Sequence, residues 1–335
     1  MPGTLRAVLD VVRLDFDPTI ALVGLTVRLD TLALAGVVLL VLILAALGAG
    51  RLRARSATGA AGHAADAARL RRDDLILIAF GAVPGAIVGG RLGYGLVHFD
   101  YYSLDPSILV DPARGGLTLT TAVILATVGA VAVALLLGAP VSRWLHVASV
   151  PVLVGLGLGK LAMVLGGAGQ GQFSDASWAT EYVQPGPWGS PSAALSALPS
   201  QALEGGLVLA VAALILVVPF LFRLRARPWR RIARPGLAPH REWFLLSGFR
   251  RFLTALGLWA AVRFAAAFTW RDAEVAGSLR AEQLVLIAVF AGCAVLLAVA
   301  GVWQWRHRSP SPPEIDPTEA ALPEPRFNRG AAPTR

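Results

Sequence analysis

A chain of 335 residues that is 56% hydrophobic and only 15% charged carries far more apolar sequence than a soluble core of that size needs. Several near-uncharged runs of about 20 residues mark a polytopic membrane protein. The net charge of +9 comes from arginines grouped between those runs, as in cytoplasmic loops, so no nucleic-acid partner is expected.

The fold class that follows is all-α, with seven transmembrane helices. Residues 1–30 form an N-terminal segment outside the membrane, and Leu5–Leu14 has the mixed apolar and charged pattern of an interfacial amphipathic helix. No cleavable leader is expected, because Met1–Asp30 lacks an apolar core and a small-residue cleavage site. The transmembrane domain runs over 31–305. Its spans are expected at Thr31–Gly50, Asp74–Val97, Leu117–Leu137, Val147–Gly167, Gln201–Phe222, Trp243–Phe268 and Gln283–Trp305. A long polar loop at 169–200 separates spans 4 and 5 and holds no lysine or arginine. Residues 306–335, rich in Pro, Glu and Arg, are expected to be a disordered tail. The loops after spans 1, 3 and 5 hold six, one and seven arginines; those after spans 2, 4 and 6 hold one, none and two. The positive-inside rule then puts the N-terminus outside and the C-terminus in the cytoplasm.

Charges inside the spans are costly and mark candidate sites. Lys160, the only lysine of the chain, sits among glycines in span 4. Arg91 in span 2 and Arg263 in span 6 fall, like Lys160, on the outer side of the midplane by a count of about 1.5 Å per residue. Three cations at one depth suit an anion such as a phospholipid phosphate. Glu204, one turn into span 5, is a candidate counter-ion or proton acceptor. Gly81, Gly85, Gly89 and Gly93 form a stripe on one face of span 2, suited to tight helix packing. Pro84 is expected to bend that helix. Arg250 and Arg251 read as snorkelling cations or as a slightly misplaced span boundary, and His98 with Tyr101 and Tyr102 as an interfacial belt. The single cysteine, Cys293, lies in an apolar run and supports neither a disulfide nor a metal site. No Walker loop, dinucleotide fingerprint, HExxH or GxSxG is present, and no cofactor or metal is expected.

Gly89-Gly90-Arg91-Leu92-Gly93-Tyr94 resembles the GGRxGY segment of the prolipoprotein diacylglyceryl transferase family. Further motifs follow in the family's order. Arg114-Gly-Gly-Leu-Thr118 resembles its GGxS segment, Gly159-Lys160-Leu-Ala-Met163 its GRxGN region, and Pro199-Ser200-Gln201 with Glu204 its HPSQLYE. Arg263 matches the arginine of its FR-x-x-x-E segment. The resemblance covers roughly residues 20–305. The departures are that Thr120 stands where the family has a histidine, Lys160 where it has arginine, Met163 where it has asparagine, Leu198 where it has histidine, and Ala267 where it has glutamate.

The resemblance implies a bacterial cytoplasmic membrane enzyme. Such an enzyme moves the diacylglyceryl group of phosphatidylglycerol onto the lipobox cysteine of a prolipoprotein signal peptide. It further implies Glu204, Lys160 and Arg263 as catalytic residues, with Glu204 as the proton acceptor and His98 as a weaker one. Gly89, Gly90, Arg91, Tyr94, Ser200 and Gln201 are implied as substrate-binding. The alternative is a catalytically degenerate paralogue that binds anionic phospholipid or a lipidated partner; the missing histidine favours it. A transporter would need a polar path to the cytoplasm, and the inner half of the spans is almost wholly apolar.

Overall fold

The computed structural model describes residues 11–57, 70–111, 116–183, 195–230 and 242–306. Strand β1 (Val12–Leu14) comes first, followed by a hairpin of β2 (Thr19–Leu22) and β3 (Leu25–Arg28). The chain then enters α1 (Leu29–Ala57) and α2 (Arg72–Val97). A short α3 (Phe99–Leu104) and a 3-10 turn (Pro106–Val110) lead to α4 (Leu119–Leu136). Helix α5 (Val141–Ala162) ends in a 3-10 turn (Met163–Gly166), and β4 (Thr180–Tyr182) lies in the polar loop after it. Next come α6 (Ser200–Arg230) and α7 (Glu242–Ala267). The small β5 (Glu274–Ala276) and β6 (Leu279–Arg280) form a hairpin before α8 (Ala281–Arg306).

Among the described residues, six helices are long and apolar enough to cross a bilayer: those of α1, α2, α4, α5, α6 and α8. Helix α7 is as long but carries Arg250, Arg251 and Arg263. Burial runs opposite to that of a soluble protein. Leu32, Val38 and Leu47 of α1, Phe80 and Val83 of α2, and Val295 and Val299 of α8 are exposed, while Lys160, Gln201, Glu204, Arg263 and Gln283 are buried. Apolar side chains facing outward fit a lipid surround, and buried polar groups must then find partners inside the bundle.

Of the stretch Leu5–Leu14, expected as an amphipathic helix, residues 5–10 lie outside the described residues. Its end, Val12–Leu14, is extended and pairs in parallel with Thr180–Tyr182 of the polar loop, where the loop backbone supplies its hydrogen-bond partners. Residues 1–10 and the tail from 307 lie outside the described residues, as do most of the arginine-rich loops at 58–69 and 231–241.

Two packing solutions shape the bundle. The glycine stripe of α2 lies against α4: a Cβ at Gly85 would strike the Leu125 carbonyl, and one at Gly81 the Gly129 carbonyl. The two helices therefore run antiparallel in backbone contact. Helices α5, α6, α7 and α8 surround a core of Leu153, Val208, Val211, Ala212, Ile215, Ala255, Trp259, Ala260 and Leu286. The α2–α4 pair meets α5 and α8 only lightly, which leaves room between the two groups.

Candidate functional site

One close helix contact and one chain reversal bring the site together. Helices α5 and α6 approach at Gly157 and Gly205, where a Cβ on Gly205 would sit 2.8 Å from the Gly157 carbonyl. That approach sets Lys160, one turn beyond Gly157, opposite Glu204. The α7–α8 turn is held by Arg280, which donates to the carbonyls of Ala267 and, at 2.9 Å, Asp272. A guanidinium on the last carbonyls of a helix caps it and suits its dipole. Gln283 completes the turn. Its Oε1 accepts from the Arg280 N–H at 2.8 Å, and its Nε2 donates to the Phe264 carbonyl at 3.1 Å. Arg263, near the end of α7, then stands level with Glu282 in the first turn of α8.

The result is a buried chain of charges. Lys160 Nζ lies 3.2 Å from Glu204 Oε2. Arg263 donates through Nη1 to Glu204 Oε1. Its Nη2 lies 2.8 Å from each oxygen of Glu282, and its Nε donates to Glu282 Oε1 at 3.1 Å. Thr120, at the start of α4, donates its hydroxyl to Glu282 Oε1 at 2.6 Å. The ammonium of Lys160 also stands 4.2 Å from the centre of the Trp270 ring, a cation–π contact. Gly169, at φ +80°, leaves the space that the Trp270 ring fills. Two of the charges sit where a helix dipole favours them: Lys160 in the last turn of α5 and Glu282 in the first turn of α8. Two positive and two negative groups balance, so the network is neutral when all four are ionised.

A cavity of about 670 Å³ opens between the α2–α4 pair and α5, α7 and α8. One part of its wall is polar, with Lys160, Arg263, Glu282, Trp270, Asp272 and His98. The remainder is apolar and includes Ala86, Ile87, Leu117, Leu119, Ala122 and Met163. Ala86 lies eleven residues before Val97 on α2, so the apolar wall extends about 16 Å along that helix. Such a cavity suits an anionic head with an apolar body.

The expected site residues divide. Lys160, Arg263 and Tyr94 reach the cavity wall. Glu204 stands behind the two cations, fully buried, and does not line the cavity. Arg91 donates to the Asp111 carbonyl at 2.8 Å and does not join Lys160 and Arg263 on the wall. Gly89 and Gly90 face α4, where the Thr118 N–H donates to the Gly90 carbonyl at 3.0 Å. Ser200 is buried and donates to the Thr269 carbonyl at 3.0 Å. Gln201 is buried beside Tyr182, whose hydroxyl donates to the Val164 carbonyl at 2.7 Å. Burial pushes the Tyr182 phenol up to about 12, while Gln201 acts in the opposite sense. His98 stacks on Tyr94 with ring centres 4.1 Å apart.

The residue that sequence reasoning passed over is Glu282. It reads as part of a charged turn, yet it carries the second carboxylate on Arg263. The hairpin spacing held the signal: Arg263 is four residues before the end of α7 and Glu282 is the second of α8. The histidine position of the resemblance, Thr120, offers a hydroxyl and no titratable ring. Ala267 offers no carboxylate.

The profile of the family described as prolipoprotein diacylglyceryl transferase matches residues 31–299. Three relatives, each named phosphatidylglycerol–prolipoprotein diacylglyceryl transferase, are similar to the chain. The Geobacter sulfurreducens protein is 33% identical over 57% of this chain and 70% of its own length. That of Rhizobium leguminosarum bv. trifolii is 28% identical over 49% of this chain and 55% of its own. That of Desulfotalea psychrophila is 31% identical over 46% and 52%. The matches to the last two thus span about half of those proteins. With the profile covering most of its length, the chain belongs to the prolipoprotein diacylglyceryl transferase family.

Proposed function

We propose that this membrane protein transfers the diacylglyceryl group of phosphatidylglycerol to the lipobox cysteine of prolipoproteins. The observation that carries the reading is the pair of cations, Lys160 and Arg263, on the polar wall of a cavity whose other walls are apolar. In the reaction the cysteine thiol loses its proton and the thiolate attacks the diacylglyceryl carbon that bears the phosphate. The S–C bond forms, the C–O bond breaks, and the electron pair leaves with glycerol phosphate. Lys160 and Arg263 hold the phosphate and offset the charge that grows on it. Glu204 keeps both cations in place from behind, and the apolar wall takes the acyl chains. In this reading α7 completes a set of seven spans, and the arginine distribution supports an outer N-terminus and a cytoplasmic C-terminus.

One observation favours a second reading, lipid binding without transfer: both oxygens of Glu204 are held in ion pairs, and Thr120 supplies no base. Incubation of the purified protein with phosphatidylglycerol and a lipobox peptide decides between them. Transfer predicts a diacylglyceryl mass increment on the cysteine with stoichiometric release of glycerol phosphate, both lost in Lys160→Ala. Absence of the increment, with phosphatidylglycerol still bound, would establish the second reading instead.

A further inference from the structure

Arg263 has little left to offer a phosphate. Its Nη1 edge is on Glu204, its Nη2 contacts both oxygens of Glu282 at 2.8 Å, and its Nε is on Glu282 Oε1 at 3.1 Å with Thr120 Oγ1 at 3.4 Å. A guanidinium has five N–H groups, so an incoming anion can be bound on its fork only where a carboxylate withdraws.

The two carboxylates are not equally able to withdraw. The Glu204 side chain has no exposure and bridges two cations, Lys160 and Arg263, away from the cavity wall. Moving it would break two ion pairs and strand a charge in the protein interior. The Glu282 side chain is 17% exposed, lines the cavity, and has one cation in ion-pair contact among the described residues. Its Oε1 also accepts from the hydroxyl and N–H of Thr120, at 2.6 and 3.3 Å. Its Oε2 has Arg263 Nη2 as its hydrogen-bond donor.

We propose, on the footing of the transfer reaction above, that the lipid phosphate takes the place of Glu282 on Arg263 and that the released Glu282 accepts the proton of the lipobox thiol. Thr120 keeps hold of Oε1 through the exchange, so the carboxylate stays at the cavity wall while Oε2 turns free. A carboxylate stripped of its counter-ion in an apolar cavity binds a proton readily, because burial disfavours its charged form. The thiol proton passes to Oε2, the S–C bond forms, the C–O bond breaks, and glycerol phosphate leaves with the electron pair and one more negative charge. Its departure returns Arg263 to Glu282, which then gives its proton to water. Proton acceptance thereby waits for bound lipid: before the phosphate arrives, the carboxylate is tied up as a salt bridge. Besides Arg263, the other titratable groups on the cavity wall among the described residues are Lys160, Tyr94, His98 and Asp272; Lys160 already faces Glu204, and the Tyr94 and His98 rings stack on each other.

Glu282→Gln separates the two halves of the proposal. The amide keeps the size and an acceptor for Thr120 but cannot take a proton and competes poorly for Arg263. Binding is measured with vesicles containing phosphatidylglycerol, against vesicles of phosphatidylcholine alone, and transfer with a lipobox peptide. Glu282→Gln is expected to bind the phosphatidylglycerol vesicles several-fold more tightly than the wild type. Its transfer should be slower by roughly a hundredfold or more, the usual scale of a lost general base. Glu282→Asp, which keeps the carboxylate, should recover part of the rate. Transfer by Glu282→Gln within a few-fold of wild type would overturn the proton-acceptor role. Equal or weaker binding of phosphatidylglycerol would overturn the exchange. If the wild type transfers nothing, the transfer reaction itself fails and the acceptor role with it, while the binding comparison still decides the exchange.

Discussion

Glu204 holds two cations on one carboxylate, Lys160 at 3.2 Å and Arg263 on the other oxygen. Taking that charge away leaves an ammonium and a guanidinium side by side in a buried site. Breaking a buried pair by removing one partner costs about 3–5 kcal/mol. Glu204→Gln should accordingly lower the melting temperature in detergent markedly, and an unchanged melting curve would refute the ion-pair account. Lys160→Met leaves Glu204 paired with Arg263, although that guanidinium then serves both Glu204 and Glu282. The variant should fold, but its affinity for phosphatidylglycerol vesicles should fall at least tenfold, and binding equal to wild type would remove Lys160 from the phosphate site. These residues stand out in the sequence because a charge in an apolar run is conspicuous. Glu282 does not, since it sits among the charges of a turn, where Arg271, Asp272 and Glu274 dilute the signal. Arg91 shows the limit of counting depth. A rise per residue gives a level in the membrane but not the side of the helix, and its guanidinium turns to the Asp111 carbonyl.

At the scale of elements, the glycine stripe of α2 is the feature most directly readable from spacing, and its partner proves to be α4. The carbonyl of Leu125 that a Cβ at Gly85 would strike is backbone and cannot swing aside. Gly85→Leu should force α2 and α4 apart and lower the melting temperature well below that of wild type. Gly292→Leu, on α8 with nothing near its Cβ position, should leave stability equal or slightly raised, since glycine is a poor helix former. Equal melting temperatures for the two variants would contradict the close packing of α2 on α4. The spans are legible because about 20 apolar residues are needed to cross a bilayer. The start of α5 is less so. It begins at Val141, six residues before the expected Val147, because Arg143 and His146 interrupt the apolar run without ending the helix. The short strands are not legible at all. The partner of β1 lies 168 residues downstream, at Thr180–Tyr182, and three residues carry too little pattern to announce so distant a pairing.

At the scale of the whole molecule, the protein consists of a tight α2–α4 pair and a larger group centred on α5, α6, α7 and α8, with the cavity between them. The proposed orientation has a direct test in right-side-out membrane vesicles. On a Cys293→Ser background, a cysteine at the exposed Val23 should react with a membrane-impermeant maleimide, and one at Trp305 should react only after permeabilisation. The reverse pattern would invert the topology. The central claim is that Lys160 and Arg263 form the phosphate end of a lipid site. A structure of the protein with bound phosphatidylglycerol tests it most directly. The account predicts the lipid phosphate within about 3 Å of both Lys160 Nζ and the Arg263 guanidinium, with Glu282 turned off that guanidinium and the acyl chains along Ala86 and Ala122. A phosphate bound elsewhere, with Arg263 still clasped by Glu282, would contradict it.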